Sequence, residues 1–220
     1  MRLDLHIHSS HSRDAKPSPR DVVLRCKAIG LDGFAVTDHN AIEGSLTAAS
    51  LADEHGLLAV RAVEVSTAEG HVLAYGVDEV LPRGLPITET IESIHAAGGL
   101  AVAAHPVRFP SGIGLHATRL NRFDAVEVLN GGSSRRSNAK ARRVAEEMHL
   151  PVTAGSDAHE LHEIGKCYVE SPSVSSEDEL LETMRTGVLR AGGRSRTRKE
   201  GVVYSVETLV EWVRGSFRRL

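Results

Sequence analysis

The chain has 220 residues, of which 41% are hydrophobic and 25% charged, a composition typical of an ordinary folded domain rather than a disordered segment. The net charge of −3 excludes a broadly basic nucleic-acid coat, and no uncharged apolar run approaches the roughly 18 residues of a membrane span. Only two cysteines occur, which excludes a disulfide framework and favours a cytoplasmic location. Twelve histidines against four Phe, three Tyr and one Trp raise the question of a metal site.

Apolar β-type runs alternate with helical stretches, and this pattern predicts βα units that form a parallel sheet or a barrel of about seven strands. In chain order, the predicted strands are Arg2–His8, Gly33–Thr37, Leu57–Ser66, Val72–Val77, Leu100–Ala104, Ala125–Leu129, Val152–Ala154 and Val188–Ala191. The predicted helices between them start at Ser18-Pro19 and end before Gly30, then cover Ile42–His55, Ile87–Ala97, Ser137–Met148 and Ser176–Arg185. The turn Ala68-Glu69-Gly70 indicates a hairpin between the third and fourth strands.

The C-terminal end differs from the rest in charge. Residues 190–220 hold eight Lys/Arg and three Glu, a net +5, which leaves −8 for residues 1–189. We therefore divide the chain into a barrel over residues 1–192 and a basic segment over residues 193–220. A helix over Ser205–Phe217 has one apolar face, and the simplest interpretation is a solvated loop followed by a helix packed on the barrel.

The opening Asp4-Leu5-His6-Ile7-His8 is the first sign of a metal site. Side chains alternate along a strand, so Asp4, His6 and His8 would share one face. Imidazoles and carboxylates buried without partners are costly, and a divalent metal ion would compensate them directly.

Four further strands each deliver metal-ligand residue types at or near their C-terminal ends. In parallel βα folds these strand ends collect the functional site. A chance origin for the whole set is therefore remote. The residues are His39, Glu64, His105, Asp157 and His159.

Four motifs occur in order along the chain: Asp-x-His-x-His, Thr-Asp-His, Ala-His-Pro and Gly-Ser-Asp-Ala-His. With them the sequence resembles the PHP (polymerase and histidinol phosphatase) family of metal-dependent phosphoesterases. The resemblance spans Asp4 to His159. It implies an α/β fold, a distorted (β/α)7 TIM-like barrel in a single domain, which binds two to three divalent Mn, Fe or Zn ions and hydrolyses phosphate esters.

The resemblance also implies three groups of metal ligands. Glu64 would bridge the first and second ions. Asp14 stands where some relatives have histidine, and could instead cap the turn before the first helix. The first group is His6, His8, Glu64 and Asp157; the second is Glu64 with His105; the third is Asp14, His39 and His159.

The remaining ligand of the second ion stays open. His71 opens the strand after the Glu64 turn and could bind that ion, support another ligand or contact phosphate. Asp4 would orient a ligand histidine rather than bind metal, and Asp38 could do either. The other histidines are interpreted as surface or cap residues, except His11 and His116, which stay undecided; the former are His55, His95, His149 and His162.

The implied chemistry is hydrolysis of a phosphate ester by metal-activated hydroxide, because clustered ions about 3.5–4 Å apart activate water and clamp phosphoryl oxygens. Glu64, Asp157 and His105 would be the catalytic residues. The expected partner is a small phosphorylated substrate, a nucleotide or a short 5′-phosphorylated RNA or DNA end, and no membrane. Candidates for substrate contacts are His11, Arg13, Asn130, Arg135, Arg136, Asn138 and Lys166.

Three other functions are compatible with a barrel that carries a His-x-His motif. Histidinol phosphate is a possible substrate that nothing in the sequence selects. An amidohydrolase also uses a His-x-His barrel, but the early Asp14 and the closing Asp157-Ala158-His159 fit that layout badly. A non-catalytic metal-binding module would be expected to lack several ligands, whereas here the ligand set is essentially complete.

Overall fold

The computed structural model of the protein describes residues 1–197 and residue 200, so the predicted helix over Ser205–Phe217 lies outside the described residues. Within this part of the chain the strands are β1 Arg2–Ile7, β2 Gly33–Val36, β3 Leu58–Ser66, β4 His71–Tyr75, β5 Leu100–Ala103, β6 Ala125–Asn130, β7 Val152–Gly155, β8 Cys167–Glu170 and β9 Arg190–Gly193. The helices are α1 Pro19–Ala28, α2 Glu43–Ala52, α3 Ile87–Ala96, α4 Gly114–Leu120, α5 Arg135–Met148 and α6 Glu177–Thr186. No helix among these residues combines the length and apolar composition needed to cross a bilayer.

All nine described strands belong to one sheet, in the order β7-β6-β5-β4-β3-β2-β1-β8-β9. The pairs β1–β2, β2–β3, β5–β6 and β6–β7 are parallel, whereas β4 runs antiparallel to both β3 and β5. The sheet closes where β7 meets β1: the amide of Asp157 donates to the carbonyl of His6 at 2.7 Å, and that of His8 to the carbonyl of Ala158 at 2.9 Å. The predicted α/β barrel is therefore confirmed, as is the β3–β4 hairpin.

The barrel interior is apolar at one end. One cluster of buried side chains takes members from almost every strand, including Leu5, Leu73 and Tyr75, and the Tyr75 hydroxyl donates to the Leu5 carbonyl at 2.7 Å. Leu180 and Met184 of α6 belong to the same cluster, so we infer that α6 covers this end of the barrel. The opposite end, at the carboxyl termini of the parallel strands, is left for polar side chains.

Local signals explain the helix boundaries. Ser18 and Asp21 form a capping box at the start of α1, with Pro19 in its first turn, as the sequence indicates. Helix α5 begins at Arg135, two residues earlier than predicted, because the side chain of Ser134 accepts a hydrogen bond from the amide of Ser137. The α4 helix occupies a stretch that the sequence analysis left irregular.

The strand prediction was incomplete at the C-terminal end. Strand β8 was not predicted, because its pairing with β1 and β9 rather than a local pattern defines it. It runs antiparallel to the start of β1, and β9 runs antiparallel to β8 as the edge of the sheet. The last strand was predicted at Val188–Ala191 but covers Arg190–Gly193, since pairing with β8 rather than apolar character decides its register.

Candidate metal centre

His6 and His8 come from the end of β1 and the residue after it, and both are fully buried. Their Nε2 atoms lie 3.2 Å apart. The Oδ1 atom of Asp157, just after β7, lies 3.6 Å from Nε2 of His6 and 3.3 Å from Nε2 of His8. The barrel closure between β1 and β7 therefore brings together three of the four residues predicted for the first ion.

Glu64 of β3 is fully buried and lies at the centre of the site. Its Oε2 atom lies 3.5 Å from Nε2 of His6, 3.3 Å from Nε2 of His8 and 3.1 Å from Nδ1 of His39. One carboxylate oxygen therefore faces three imidazole rings, so Glu64 lies where the sequence analysis expects a ligand shared by two ions.

The other oxygen of Glu64 faces two more histidines. Its Oε1 atom lies 2.9 Å from Nδ1 of His71 and 2.9 Å from Nε2 of His105. His71 lies directly across the β3–β4 hairpin from Ser66, and this pairing brings its ring back over Glu64. His71, the candidate left open for the second ion, thus lies beside the Glu64 carboxylate together with the predicted ligand His105.

Asp14 lies in the loop between β1 and α1, and its carboxylate is 56% exposed. Its Oδ2 atom lies 3.3 Å from Nε2 of His159 and 3.6 Å from Nε2 of His39. Burial alone would lower the pKa of His159, but the hydrogen bond that its Nε2–H donates to the Asp14 carboxylate raises the pKa to about 9. The three residues predicted for the third ion therefore converge at the rim of the site.

The donor set fits divalent metal ions. Four overlapping groups have ligand atoms within 4.8 Å of one another: His6, Glu64 and His105; His6, His8 and Asp157; His8, His39 and His159; His39, Glu64 and His71. Oε2 of Glu64 and Nδ1 of His39 are both buried and 3.1 Å apart, yet neither has a hydrogen bond within the described structure. This is the arrangement of two ligands to a common ion. Imidazole nitrogens with carboxylate oxygens suit Mn, Fe or Zn.

Glu127 of β6 is a buried site residue that the sequence analysis missed. Its Oε1 atom lies 2.9 Å from Nδ1 of His6, and its Oε2 atom accepts the backbone amide of His105 at 2.8 Å. Asn130, at the end of β6, donates to the same Oε2 atom at 3.1 Å. The signal was present, because Glu127 is a carboxylate inside an apolar strand, as Glu64 is.

Arg108, in the loop after β5, was also missed. Its guanidinium contacts the Asp157 carboxylate, and Asn130 Nδ2 donates to the same oxygen of Asp157 at 3.2 Å. Burial opposes the ionisation of Asp157, but Arg108 beside it holds the pKa of that carboxyl well below its usual range. No spacing rule marks an arginine three residues after a motif histidine, so this contact needed the tertiary structure.

Asp4 and Asp38 bind the backbone and loop rather than a histidine ring. The register of β1 against β2 shifts between Asp4 and Ile7, which breaks the simple alternation expected there. The Asp4 carboxylate accepts the amides of Ser156 and Gly165, both at 2.8 Å, and burial raises its pKa to about 6.

Asp38 holds the loop that follows β1. It accepts the Ser9 amide and hydroxyl, both at 2.6 Å, and the Ser12 hydroxyl at 2.9 Å. The Ser12 oxygen also lies 3.2 Å from Nδ1 of His8. Asp38 therefore acts on His8 through the loop rather than directly.

The other candidates lie farther out. His11, Arg13, Arg135 and Arg136 are exposed. The Lys166 ammonium nitrogen lies 3.5 Å from Oε1 of Glu163, with which it forms an ion pair. The Asn138 side chain donates to the Asn130 carbonyl at 3.0 Å. Of the histidines interpreted as surface or cap residues, His95 pairs with Asp124 at 2.8 Å and His149 ends α5 in a left-handed conformation, while the undecided His116 is exposed on α4.

Comparison with known proteins shows similarity over most of the chain. The PHP domain family model matches residues 4–105 and the PHP-associated model matches residues 135–189. An uncharacterized protein of Methanocaldococcus jannaschii is 37% identical over 141 residues, which cover 59% of this chain and 82% of that protein. A 5′-3′ exoribonuclease of Haemophilus influenzae is 24% identical over 247 residues, covering 72% of this chain and 90% of the relative.

A solved structure has the same fold. It is a two-domain protein of Bacteroides vulgatus that contains a predicted PHP-like metal-dependent phosphoesterase. The TM-score is 0.73 at 17% identity, and the match covers 88% of this chain and 65% of that protein. The barrel and the two matched family models agree with the motifs in the sequence. This chain belongs to the PHP domain family.

Proposed function

We propose that the protein is a metal-dependent phosphoesterase that hydrolyses phosphate esters of nucleotides or of short 5′-phosphorylated oligonucleotides. The observation that carries the proposal is Glu64, a fully buried carboxylate with five histidine rings within 3.5 Å of its two oxygens. Membership of the PHP domain family supports hydrolase chemistry, and the exoribonuclease relative supports a nucleotide substrate.

We propose that two to three divalent ions are held by the clustered residues. Bound there, the ions would polarise the phosphoryl oxygens and lower the pKa of an attacking water. Mn, Fe and Zn all accept this mixture of ligands. The residues that would hold them are His6, His8, Asp14, His39, Glu64, His71, His105, Asp157 and His159.

Glu127 sets the protonation of His6. When the Nδ1–H group of His6 donates a hydrogen bond to Oε1 of Glu127, Nε2 keeps its lone pair for a metal ion. Because Glu127 also accepts the amide of His105, one carboxylate orients two proposed ligands from different strands. Glu127 is thus a positioning residue, and we expect its loss to weaken metal binding without removing a ligand.

Arg108 brings a positive charge to the edge of the proposed metal cluster. It contacts Asp157, and its loop also lines the cavity beside the site. A guanidinium with several donors can bind a carboxylate and a phosphoryl oxygen together. We propose that Arg108 binds an oxygen of the substrate phosphate.

A substrate panel tests the proposal. Purified protein with Mn²⁺ would be given p-nitrophenyl phosphate, 5′-mononucleotides, 3′,5′-bisphosphates, short 5′-phosphorylated RNA, histidinol phosphate and, as the amidohydrolase control, dihydropyrimidine. We expect phosphate release from at least one nucleotide substrate, abolished by chelator and restored by Mn²⁺. Failure to release phosphate from any ester at full metal occupancy would overturn the proposal, and cleavage of the ring amide alone would assign the site to C–N hydrolysis.

A further inference from the structure

A cavity of about 1230 Å³ lies beside the proposed metal centre. One wall is the start of α5 with the residues just before it, and the other runs from Gly193, the last residue of β9, to Thr197. Arg108 and Phe109 also line the cavity, and because Arg108 contacts Asp157, the cavity adjoins the proposed catalytic site. We call this cavity the arginine groove.

The arginine groove is strongly positive. Five of its lining residues are arginines, and no carboxylate is among those that the structure describes: Arg108, Arg135, Arg136, Arg194 and Arg196. Glu200 neutralises Arg194 through two hydrogen bonds of 2.8 and 2.9 Å, and Asp157 neutralises Arg108. Arg135 and Arg136 form no ion pair with any described residue, and they stand at the N-terminus of a 14-residue helix, which itself favours anions.

A buried hydroxyl points independently to a ligand. Ser133 lines the arginine groove and is 3% exposed, and its Oγ atom has no hydrogen-bond partner within residues 1–197. Buried hydroxyls normally have a partner, and one without it beside several arginines suits an anionic oxygen. The Ser133 carbonyl accepts the amide of Arg196 at 3.1 Å, which joins the two walls of the groove directly.

Phe109 adds an aromatic surface at the groove. Its side chain is 95% exposed, the largest exposure among the large hydrophobic residues described. A single exposed apolar side chain is ordinary on a protein surface. Here, however, it lines a groove of arginines, and arginines with an exposed aromatic ring are the combination that binds the backbone and bases of single strands.

We propose that the arginine groove binds the nucleotides next to the scissile phosphate, so that an oligonucleotide rather than a mononucleotide is the preferred substrate. This inference rests on the proposed function. Arginines of both walls and the Ser133 hydroxyl would bind phosphodiester oxygens, and Phe109 would stack on a base. The volume exceeds the roughly 300–1,000 Å³ of small-molecule sites, which favours a chain of several nucleotides. The described start of the basic segment, residues 193–197, thereby becomes part of the substrate site rather than a solvated loop.

Binding without catalysis tests the groove separately from the proposed function. The probe is a five-nucleotide single-stranded RNA with a 5′ phosphate and a 3′ fluorophore, titrated in excess chelator and followed by anisotropy. We expect Arg135→Ala and Arg196→Ala each to weaken binding about tenfold. Each should also reduce the slope of log affinity against log salt concentration by about one. Phe109→Ala should weaken binding about five- to tenfold with the salt slope unchanged.

Arg142→Ala is the matched control, because Arg142 is exposed on the same helix and does not line the groove. It should bind the probe as the wild type does, and melting curves of all variants would establish that each is folded. Equal binding by wild type, Arg135→Ala and Arg196→Ala would overturn the proposal. The proposal would also be overturned if a glutamate-rich peptide displaced the probe as well as unlabelled RNA of the same sequence does. That result would make the groove a general site for anions or acidic proteins. Binding that follows the expected pattern in a protein that releases no phosphate would retain the groove and refute the phosphoesterase proposal alone.

Discussion

At the scale of single residues, charge compensation explains why so many polar groups are buried at one end of the barrel. Glu64, Asp157 and Glu127 are almost fully buried, and each lies against imidazole or guanidinium groups. Although burial opposes its ionisation, the histidines around Glu64 hold the pKa of that carboxyl well below its usual range. Glu64 is therefore ionised before any cation binds, whereas the imidazoles around it must give up protons to an incoming ion.

Replacing Glu64 with alanine should remove both bridging oxygens from the site. We expect Glu64→Ala to lose part of the bound metal and more than about 100-fold in turnover, since even residues that only support a metal ligand are worth about 10–100-fold. Elemental analysis and phosphate release measure the two effects. His55→Ala is the control, because His55 ends a short 3-10 turn. Equal metal content in Glu64→Ala and wild type would contradict the bridging role.

Asp14 tests the third group of ligands. We expect Asp14→Ala to lose one ion selectively together with most turnover, whereas Asp14→His should keep the ion and shift preference towards Zn, because imidazole is a softer ligand than carboxylate. Metal content and melting temperature would be measured together. Full metal occupancy with a lowered melting temperature would instead mean that Asp14 only stabilises its loop, at about 0.5–2 kcal/mol.

The ion pair between His159 and Asp14 predicts how metal binding depends on pH. In the metal-free protein the pKa of His159 is raised to about 9, from about 6.5 in the unfolded chain. The ion pair with Asp14 therefore stabilises the metal-free protein fully below about pH 6.5, and this stability is lost as the pH rises through about 9. Since an ion binds neutral imidazole, Mn²⁺ affinity should rise over the same interval with proton release. Calorimetry in buffers of different ionisation enthalpy measures this, and a pH-independent affinity would contradict it.

At the scale of elements, the close approach of β7 to β1 positions the first ligands. A Cβ at Gly155 would lie only 2.5 Å from the backbone nitrogen of His6, so a side chain there would separate the two strands. The amide of Asp157 donates a hydrogen bond to the carbonyl of His6 across the same contact between β7 and β1. The geometry of the proposed metal centre thus depends on a backbone contact that involves no ligand side chain.

We expect Gly155→Ala to lower the free energy of unfolding by about 1–3 kcal/mol and to reduce metal content, because overpacking would displace His6. Gly84→Ala is the comparison: a Cβ there meets nothing within 4 Å, and only the left-handed φ of +76° is unfavourable. That variant should lose about 1–2 kcal/mol with full metal content. Denaturation and elemental analysis distinguish the two variants. Wild-type metal content in folded Gly155→Ala would show that the contact between β7 and β1 does not position the ligands.

At the scale of the whole molecule, ions bound to side chains from β1, β3, β4 and the loops after β1, β2, β5 and β7 would connect most of the barrel. Ligands that bind only the folded state stabilise it, by about 2.7 kcal/mol at a concentration 100 times the dissociation constant. For a chain of this size we expect chelator to lower the melting temperature by roughly 5–10 °C. Calorimetry with and without Mn²⁺ measures the shift, and identical melting temperatures would argue against ions that join these elements.

The sequence by itself determined the barrel class and the candidate ligands, because both depend on local signals. A strand, its alternation and the polar residue at its end all lie within a few neighbours, as at His105 after β5 and Asp157 after β7. Only the tertiary structure placed Arg108 on Asp157 and turned Asp4 towards backbone amides, since those contacts join residues 49 to 161 positions apart. The same holds for β8, for the register of β9, and for the arginine groove, whose two walls come from distant segments that share no local pattern. Side chains that meet through folding leave no period in the sequence, whereas residues that follow a strand do.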